Sequence, residues 1–417
     1  MESGAGPTRE TVRRMSEARR EPAWMADLRA RALEVFERLP SPVALDLARV
    51  RYLEPEGPAE EISEKTAGGR AQFESEAVYK SLRAEWARQG VIFQDTEAAL
   101  RERPDLLREH WARVVPPEDG KFAALNAAVW SGGSFVYVPK GVRVEVPLQA
   151  YFRVNAQNEG RFERTLIVVD EGAEVHYVEG CTAPTYSEDV LHASVVEIVV
   201  RPGGRCTYTT LQNWSRNVFN FVSKRAVVEE GASVRWVDAN IGSKVTVKRP
   251  SARLVGRGAR AEVLAVAFAS EGQHQDAGAE IVHAAPDTAS TIEARAVARR
   301  GGRASFRADV RVEPGARGAA VRSRCRSLVL EAGGACDAAP VLDVATEDAR
   351  LDHEASVAPL SAEDLFYLES RGIEADDARI MIVNGFIQPI VKELPMEYAV
   401  ELARLVQGEL EGAPCRK

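Results

Sequence analysis

Apolar and polar residues alternate over short stretches in the middle of the chain. In residues 173–178 and 233–237 every second residue is apolar, so that Val175 and Tyr177 would share one face. Alternation over so few residues predicts half-buried β-strands rather than helices. Short turns containing Gly or Asp separate these stretches. The middle of the chain is therefore predicted to consist mainly of strands.

The turns recur at a nearly constant spacing. Six of them follow one another at intervals of 31, 31, 28, 27 and 29 residues: Gly141, Gly172, Gly203, Gly231, Gly258 and Asp287. The next four follow at intervals of 14, 14, 18 and 15 residues, as expected if each turn of a coil has two strands and two corners: Gly301, Gly315, Gly333 and Asp348. Such periods indicate stacked repeats. We expect a β-solenoid with a buried inner face and a polar outer face, whose rungs lie about 4.8 Å apart.

Helical patterns flank the solenoid on the N-terminal side. Apolar residues from Trp24 to Leu39 follow helical spacing, and residues 73–86 and 96–114 also read as helices. Residues 1–21 are polar and predicted to be mobile. Region 1–115 is therefore predicted to be helical, and the solenoid core is predicted to span residues 116–358.

The remaining region, 359–417, again shows helical spacing. Ser361 is a predicted helix cap, and residues 376–394 and 396–410 are predicted helices separated by Pro395. This region is more apolar than one buried stripe requires. Two explanations stay open at equal weight: it covers the end of the solenoid, or it also binds a partner.

Composition excludes several classes of protein. Lys and Arg number 54 against 62 Asp and Glu, a net charge of −8, which argues against nucleic acid as a partner. No stretch approaches the roughly 20 apolar residues of a membrane span, and the start does not resemble a signal peptide, so we expect a cytoplasmic protein without membrane contact. The five cysteines form no CxxC pair and are expected to be reduced: Cys181, Cys206, Cys325, Cys336 and Cys415.

The repeat period indicates which residues share a column of neighbouring rungs. Arg153 and Cys181 are 28 residues apart, and Cys181 and Gln212 are 31 apart. Cys325 and Glu354 are 29 apart, which predicts a thiol and a carboxylate about 5 Å apart along the stack. Cys181 and Cys325 are 144 apart, about five periods or roughly 24 Å. The two thiols are therefore expected to form separate sites.

The residue types permit metal chemistry at the second site. His353 adjoins Glu354, and thiolate, imidazole and carboxylate are all ligands of transition metals. The spacing identifies no particular metal. A lone cysteine in a solenoid is also often a small buried apolar residue, and His353 has charged neighbours typical of the surface.

Several enzyme signatures are absent from the sequence. It contains no GxxxxGK[ST] phosphate loop, no Gly-rich dinucleotide fingerprint, no HExxH and no GxSxG. We therefore expect a protein that is not an enzyme, and any use of ATP would depend on a partner. A solenoid enzyme acting on polysaccharide is a weak alternative because no carboxylate pair stands out on one face.

Several separate motifs closely resemble the SufB family of SUF iron-sulfur cluster assembly. They are residues 180–184 (GCTAP), 191–192 (LH), 195–198 (VVEI), 212–214 (QNW), 223–226 (SKRA), 351–355 (LDHEA), 365–367 (LFY), 370–372 (SRG), 382–386 (IVNGF) and 393–395 (ELP). The resemblance covers about residues 120–410. It implies a right-handed parallel β-helix between helical domains, working as a scaffold that carries a nascent, transient iron-sulfur cluster.

The resemblance also implies partners. These are a SufC-type ABC ATPase bound through the C-terminal helices, a cysteine desulfurase or other sulfur donor, and either a SufD-type paralogue or a second copy of this chain. No feature of the sequence indicates a flavin.

Site roles follow from the same resemblance. Cys181 corresponds to the sulfur acceptor, and the polar lining of a transfer route corresponds to Arg153, Asn155, Gln212, Trp214 and Lys224. Cys325 and Glu354, together with His353, correspond to the cluster site. The alternative is a SufD-like structural subunit with inert thiols. SufD-type chains typically lack this pair of cysteines, so the presence of both favours the SufB-like interpretation.

Overall fold

The structure is a computed structural model that describes residues 7–41, 47, 85–153, 160–182 and 189–411. The backbone alone is described for Arg153 and Thr182. Asn155, Cys415 and most of the predicted helix at 73–86 lie outside the described residues.

Strands form two sheets that face each other and coil into a solenoid of about seven turns. The first sheet has the order β1-β2-β4-β6-β8, then β10 and β11 end to end in one strand position, then β13-β15-β17. The second has the order β3-β5-β7-β9-β12-β14-β16-β18. The strands are β1 Ile92–Asp95, β2 Ser134–Val138, β3 Leu148–Arg153, β4 Arg164–Val169, β5 Glu174–Thr182, β6 Val190–Val200, β7 Arg205–Trp214, β8 Val218–Val228, β9 Ser233–Gly242, β10 Val245–Lys248, β11 Ser251–Leu254, β12 Arg260–Ala269, β13 His274–His283, β14 Ala289–Ala298, β15 Arg303–Val312, β16 Ala319–Val329, β17 Ala335–Val344 and β18 Ala349–Pro359.

The strand pairs of the solenoid are parallel, whereas β1 pairs with β2 in antiparallel orientation at the first rung. The turns behave as their residues predict. Gly172 and Gly203 have positive φ angles of 66° and 67°, and Asp287 has a φ of 58° at the corner predicted for it. Gly tolerates this conformation without strain, and Asp tolerates it better than most other residues. The prediction of a mainly β solenoid with helices at both ends is confirmed.

The N-terminal helices pack on the outer face of the first sheet. Phe122 stacks on Phe221 of β8 with ring centres 3.9 Å apart. A fully buried ion pair between Arg164 and Glu197, at 2.6 Å, fixes the chain before the solenoid, because the Glu197 carboxylate accepts from the backbone N–H of Val115. These helices are α1 Arg9–Ala18, α2 Ala23–Arg38, α3 Thr96–Glu102, α4 Pro104–His110 and α5 Lys121–Val129.

Two predictions for this part of the chain need correction. Helix α1 lies inside the stretch predicted to be mobile, because Val12 and Met15 form a buried stripe against α2. Helix α5 lies inside the region predicted to be the solenoid core, residues 116–358. In the structure the first strand that pairs in parallel begins only at Ser134.

The C-terminal helices α6 Ala362–Ser370, α7 Ala375–Val391 and α8 Met396–Glu411 follow the solenoid. Helices α7 and α8 pack on the outer face of the second sheet rather than on the solenoid's end. Leu211, Val237 and Leu264 form part of this outer face, so the predicted polar outer face is wrong here. Arg299, which is buried at a solenoid corner, donates to the carbonyl oxygens of Glu409 (2.6 Å) and Leu410 (2.7 Å).

Candidate functional site

Cys181 lies on the inner face of the solenoid near its N-terminal end. It is 2% exposed and packs with Val190, Trp214 and Val218. Its register neighbour on β7 is Gln212, as the period predicted. On the other side its neighbour is Phe152, and Arg153 pairs with Thr182, so the predicted column of Arg153 and Cys181 is displaced by one residue.

The Cys181 thiol has a carboxylate beside it. Its Sγ donates to Glu179 Oε1 at 3.5 Å, and the other oxygen of Glu179 accepts from the Tyr208 hydroxyl at 2.7 Å. Burial raises the pKa of Cys181 well above its usual value, and Glu179 raises it further. The neighbouring Lys224 acts in the opposite direction. The resting thiol is therefore protonated, and Glu179 is positioned to accept its proton.

A histidine on the facing sheet forms a second buried pair. His192 Nε2 lies 3.0 Å from Glu163 Oε2, and its Nδ1 lies 2.7 Å from Asn220 Oδ1. Burial alone would lower the pKa of His192, but the Glu163 carboxylate raises it. Both ring nitrogens thus face acceptors, which is the arrangement of an imidazolium. The His192 ring also lies against Trp214, with ring centres 4.7 Å apart.

Two lysines share one aspartate between the sheets. Lys224 Nζ lies 3.0 Å and Lys248 Nζ 3.3 Å from Asp238 Oδ1, and all three residues are at most 1% exposed. Burial would raise the pKa of Asp238, but the two ammonium groups lower it. Lys248 also donates to Gln212 Oε1 at 3.4 Å, and Asn220 donates to the same oxygen at 2.9 Å. The lysines are thereby joined to the neighbours of Cys181 and His192.

We refer to these groups together as the buried polar cluster. Its carboxylates and its cationic groups are equal in number, three of each, so the cluster is balanced in charge before any ligand binds. Its members are Glu163, Glu179, His192, Tyr208, Gln212, Asn220, Lys224, Asp238 and Lys248.

Two columns of inner residues run from this cluster to the far end of the second sheet. The first column passes Ala265 and Ala294 before it reaches Cys325, and the second passes Ala267 and Ala296. Cys181 and Cys325 are separated by five strand steps, about 24 Å, so the prediction of two distant thiols is confirmed. The full columns are Glu179, Thr210, Asp238, Ala265, Ala294, Cys325 and Ala355, and Cys181, Gln212, Asn240, Ala267, Ala296, Ser327 and Val357.

The second thiol has a different environment. Cys325 is 3% exposed, and burial raises its pKa to about 11. On β18 its register neighbour is Ala355, whereas Glu354 pairs with Arg324 and accepts from Arg326 Nε at 2.8 Å. Residues at successive positions of a strand point to opposite faces. Cys325 thus points inward and Glu354 outward, so the predicted contact of thiol and carboxylate is wrong by one residue.

His353 lies on the inner face, because it pairs with Ser323, which is fully buried. Neither ring nitrogen of His353 has a hydrogen-bond partner. The ring nitrogens are thus buried, although the residue as a whole is partly exposed on the last strand. Among the residues that the structure describes, no group of three His, Cys, Asp or Glu side chains is close enough to hold a metal ion.

Sequence reasoning missed Glu179, Asp238 and Lys248. A signal was present for two of them: Glu179 has the same parity as Val175 and Tyr177, and Asp238 the same parity as Val234 and Trp236, so both stand at inward positions. Lys248 had no such signal.

The remaining cysteines differ in burial. Cys206 is a buried member of the inner core, whose burial raises its pKa to about 12, whereas Cys336 is partly exposed. None of the helices that the structure describes combines the length and the apolar character that crossing a bilayer requires.

Comparisons with known proteins agree with this architecture. The sequence model described as "SUF system FeS cluster assembly, SufBD core domain" matches residues 152–386, and "SufBD protein N-terminal region" matches residues 73–150. The chain is 48% identical to "Iron-sulfur cluster assembly protein SufB" of Bacillus subtilis and 47% identical to "Iron-sulfur cluster assembly SufBD family protein" of Staphylococcus epidermidis. Each alignment covers 99% of this chain and 94% of the relative. The chain belongs to the SufB/SufD family of SUF iron-sulfur cluster assembly proteins.

Proposed function

We propose that this chain is a SufB-like scaffold that receives sulfur at Cys181 and assembles a cluster at Cys325. The observation that carries this proposal is the pair of inner-facing thiols, five rungs apart and joined by continuous inner columns. Iron and sulfide are the cargo of this reaction. Neither step requires a nucleotide site on the chain itself.

Sulfur acceptance at Cys181 follows from its neighbours. The thiol proton passes to Glu179, and the thiolate attacks the outer sulfur of a donor persulfide. One sulfur–sulfur bond forms on Cys181 while the donor's sulfur–sulfur bond breaks, and the donor leaves as a thiolate. We propose a cysteine desulfurase as the donor. Gln212, Trp214 and Lys224 line the inner face beside Cys181, while the parts of Arg153 and Asn155 in this step remain proposals from family resemblance.

At the other end we propose Cys325 as a cluster ligand, with His353 as a second. His353 fits this role because it is on the same inner face and its ring nitrogens are uncommitted. Glu354 faces outward, so we propose that it acts at the outer surface of the last rung, with Arg326 as its resting partner.

Partners are proposed from the surface of the same end. Val341, Leu351 and Val357 on the last two strands are 41–48% exposed, which suits contact with a SufD-type paralogue or a second copy of this chain. Phe366, 71% exposed, and Met396, 76% exposed, suit a SufC-type ATPase on the C-terminal helices. We propose the cytosol as the compartment.

Anaerobic reconstitution with iron, a cysteine desulfurase and cysteine tests the proposal. The wild-type complex should develop the charge-transfer absorption of an iron-sulfur cluster, and Cys325→Ala should not. Cys181→Ala should lose the added sulfur atom that mass spectrometry detects on the wild-type peptide. Cys206→Ala is the matched control, because this cysteine is also buried and faces inward. Full absorption in Cys325→Ala would refute the site assignment.

The second candidate is a SufD-like structural subunit, which the raised pKa values of both buried thiols favour. Under that alternative, a Cys181→Ser, Cys325→Ser double variant supports growth of a strain lacking the native protein. Under our proposal it does not.

A further inference from the structure

Four aromatic rings stand in a row inside the N-terminal half of the solenoid. Tyr208 lies between Tyr177 and Trp236, with its ring centre 5.3 Å from each of theirs. Phe93 of β1 follows on Tyr177 at 6.2 Å. The two tyrosines and the tryptophan are fully buried, and rings at these distances contribute to the packing of the core. Tyrosine and tryptophan are also side chains that give up one electron readily, so the row forms a continuous series of electron donors.

A single carboxylate connects Tyr208 with the Cys181 thiol. The Tyr208 hydroxyl donates to Glu179 Oε2 at 2.7 Å, and the thiol donates to Glu179 Oε1 at 3.5 Å. A carboxylate within hydrogen-bond reach of two such groups can take a proton from one and return a proton to the other. The arrangement therefore provides a proton path between the phenol and the sulfur, next to the rings that can supply an electron.

The other buried cysteine of this region has no such connection. Cys206 precedes Tyr208 by two residues on β7 and is 2% exposed, as is Cys181. Burial alone raises the pKa of Cys206 to about 12, because within the described residues no charged or hydrogen-bonding side chain acts on its thiol. The two cysteines thus have the same burial and differ in their link to a phenol.

Iron close to a reactive thiol creates a need for repair. Ferrous iron, the cargo under the proposed function, reacts with hydrogen peroxide to give ferric iron, hydroxide and a hydroxyl radical. The hydroxyl radical takes the hydrogen atom of a thiol, so that water and a thiyl radical form. Further oxidation of the sulfur leads to sulfinic and sulfonic acids, which small thiols do not reverse. A cysteine that must stay reactive gains from a hydrogen-atom donor within reach.

We propose that Tyr208 repairs a thiyl radical at Cys181 by giving it a hydrogen atom through Glu179. One electron passes from the Tyr208 ring to the sulfur, and the phenol proton passes to Glu179 Oε2. The carboxyl group then returns a proton to the sulfur, so that an S–H bond forms, an O–H bond breaks and the radical resides on Tyr208. The inference rests on the proposed function, because it treats Cys181 as a reactive thiol and iron as the cargo.

The remaining rings lead from Tyr208 toward the surface. Tyr177 and then Phe93 follow it, and Phe93 lines a cavity at the N-terminal end of the solenoid together with Trp86. A small thiol in this cavity is separated from Tyr208 by two rings, so it can reduce the tyrosyl radical by electron transfer without entering the core. Overall, the small thiol loses one hydrogen atom and the protein thiol regains one.

Electron paramagnetic resonance of rapidly frozen samples detects the radical. The full chain is mixed with ferrous iron and then with hydrogen peroxide, and the wild type should show a tyrosyl radical whose spectrum narrows when the protein contains ring-deuterated tyrosine. Tyr208→Phe should remove most of this signal. Tyr398→Phe is the control, because Tyr398 is a partly buried tyrosine that packs on the outer face of the second sheet, and it should leave the signal unchanged.

Mass spectrometry of the same samples measures the conversion of each cysteine to sulfinic and sulfonic acid. We expect the loss of Cys181 to rise about tenfold in Tyr208→Phe, because a positioned proton-transfer group contributes at least this factor. The loss of Cys206 should be equal in variant and wild type. Glu179→Gln keeps every ring but interrupts the proton path, so it should show the same rise at Cys181. It is the second test if thermal unfolding shows that Tyr208→Phe is not folded.

Equal loss of Cys181 in the wild type and the variants overturns the inference, and so does a tyrosyl signal that persists in Tyr208→Phe. An equal rise at Cys206 overturns it as well, because a loosened core would expose both thiols. The proposed function fails separately, since it depends on cluster absorption in Cys325→Ala. That variant should keep the tyrosyl signal, because Cys325 lies five strand steps from Cys181.

Discussion

The two ends of the solenoid hold their thiols in opposite ways. Around Cys181 the charged side chains of the buried polar cluster lie inside the solenoid with partners within the chain, as Glu163 with His192 and Asp238 with two lysines. Around Cys325 the ion pairs lie outside, as between Glu354 and Arg326, and the last strands are exposed. In the first environment the lysines, the histidine and their carboxylate partners all come from the single chain. The second has uncommitted groups and open surface, which is typical of a site that a partner completes.

The inner residues between the two ends make the contrast sharper. From Asp238 to Cys325 the column contains only alanines, and the same holds from Asn240 to Ser327. No inner residue of these columns in β12 or β14 carries a charge. In these two columns, no charged side chain therefore lies between the cluster and the second thiol.

The largest expected effect comes from removing the shared aspartate. Asp238→Ala leaves two buried ammonium groups without a partner, which we expect to cost about 3–5 kcal/mol of unfolding free energy. Urea denaturation measures the loss. Asp337→Ala is the control at the other end, where the exposed pair with Arg303 should contribute less than about 1 kcal/mol. Equal losses in the two variants would remove the contrast between the ends.

A smaller effect is expected from enlarging one of the alanines in the inner column between Asp238 and Cys325. Ala294→Leu places three extra carbons on the inner face beside Cys325 and should cost about 1–3 kcal/mol. Sulfur arrival at Cys325 should fall while sulfur loading of Cys181 is unchanged, as mass spectrometry of both peptides would show. Ala320→Leu, on the exposed face of β16, should change neither. Unimpeded arrival in Ala294→Leu would exclude this segment as the route.

The pair of His192 and Glu163 predicts a pH dependence. Because the folded-state pKa of His192 is raised, its contribution is complete below the unfolded value, about 6.5, and is lost as the pH rises through the folded value. Wild-type stability should therefore decline more steeply than that of His192→Gln above about pH 6.5. Urea titrations of both chains at several pH values measure the difference. His274→Gln, at a partly exposed position, should follow the wild type, and parallel curves for all three would contradict the assignment.

The smallest expected change in stability is at Glu354. Its carboxylate is exposed and its pKa is lowered mainly by the hydrogen bond from Arg326, so Glu354→Gln should leave the melting temperature unchanged. Cluster content per chain should nevertheless fall if this carboxylate acts at the last rung. Glu347→Gln, at an exposed corner nearby, controls for loss of charge. A lowered melting temperature in Glu354→Gln alone would indicate a structural role instead.

The period of the turns was sufficient to predict the fold and the separation of the thiols. It was insufficient to predict which face of the sheet a side chain points to. A difference of one residue in rung length moves a side chain to the opposite face. The register spacing is 30 residues between Cys325 and Ala355, and the expected neighbour Glu354 is one residue short of it.

Lys248 shows a different limit of sequence reasoning. In VTVK the two valines look inward-facing, but Val245 and Val247 pack under the N-terminal helices on the outer face. Alternation identifies two faces and not which one is the interior when both are covered. The buried charges could be recognised only after the helical layers were placed.

The contact of Arg299 with the end of helix α8 has a mechanical meaning. Two short hydrogen bonds to Glu409 and Leu410, together with the packing of Leu402 and Val406 on the second sheet, make this junction stiff. A rotation of the helix would expose that apolar face and strip the arginine of its acceptors. A force applied to the C-terminal helices is thus transmitted to the second sheet, because helix and sheet would move together.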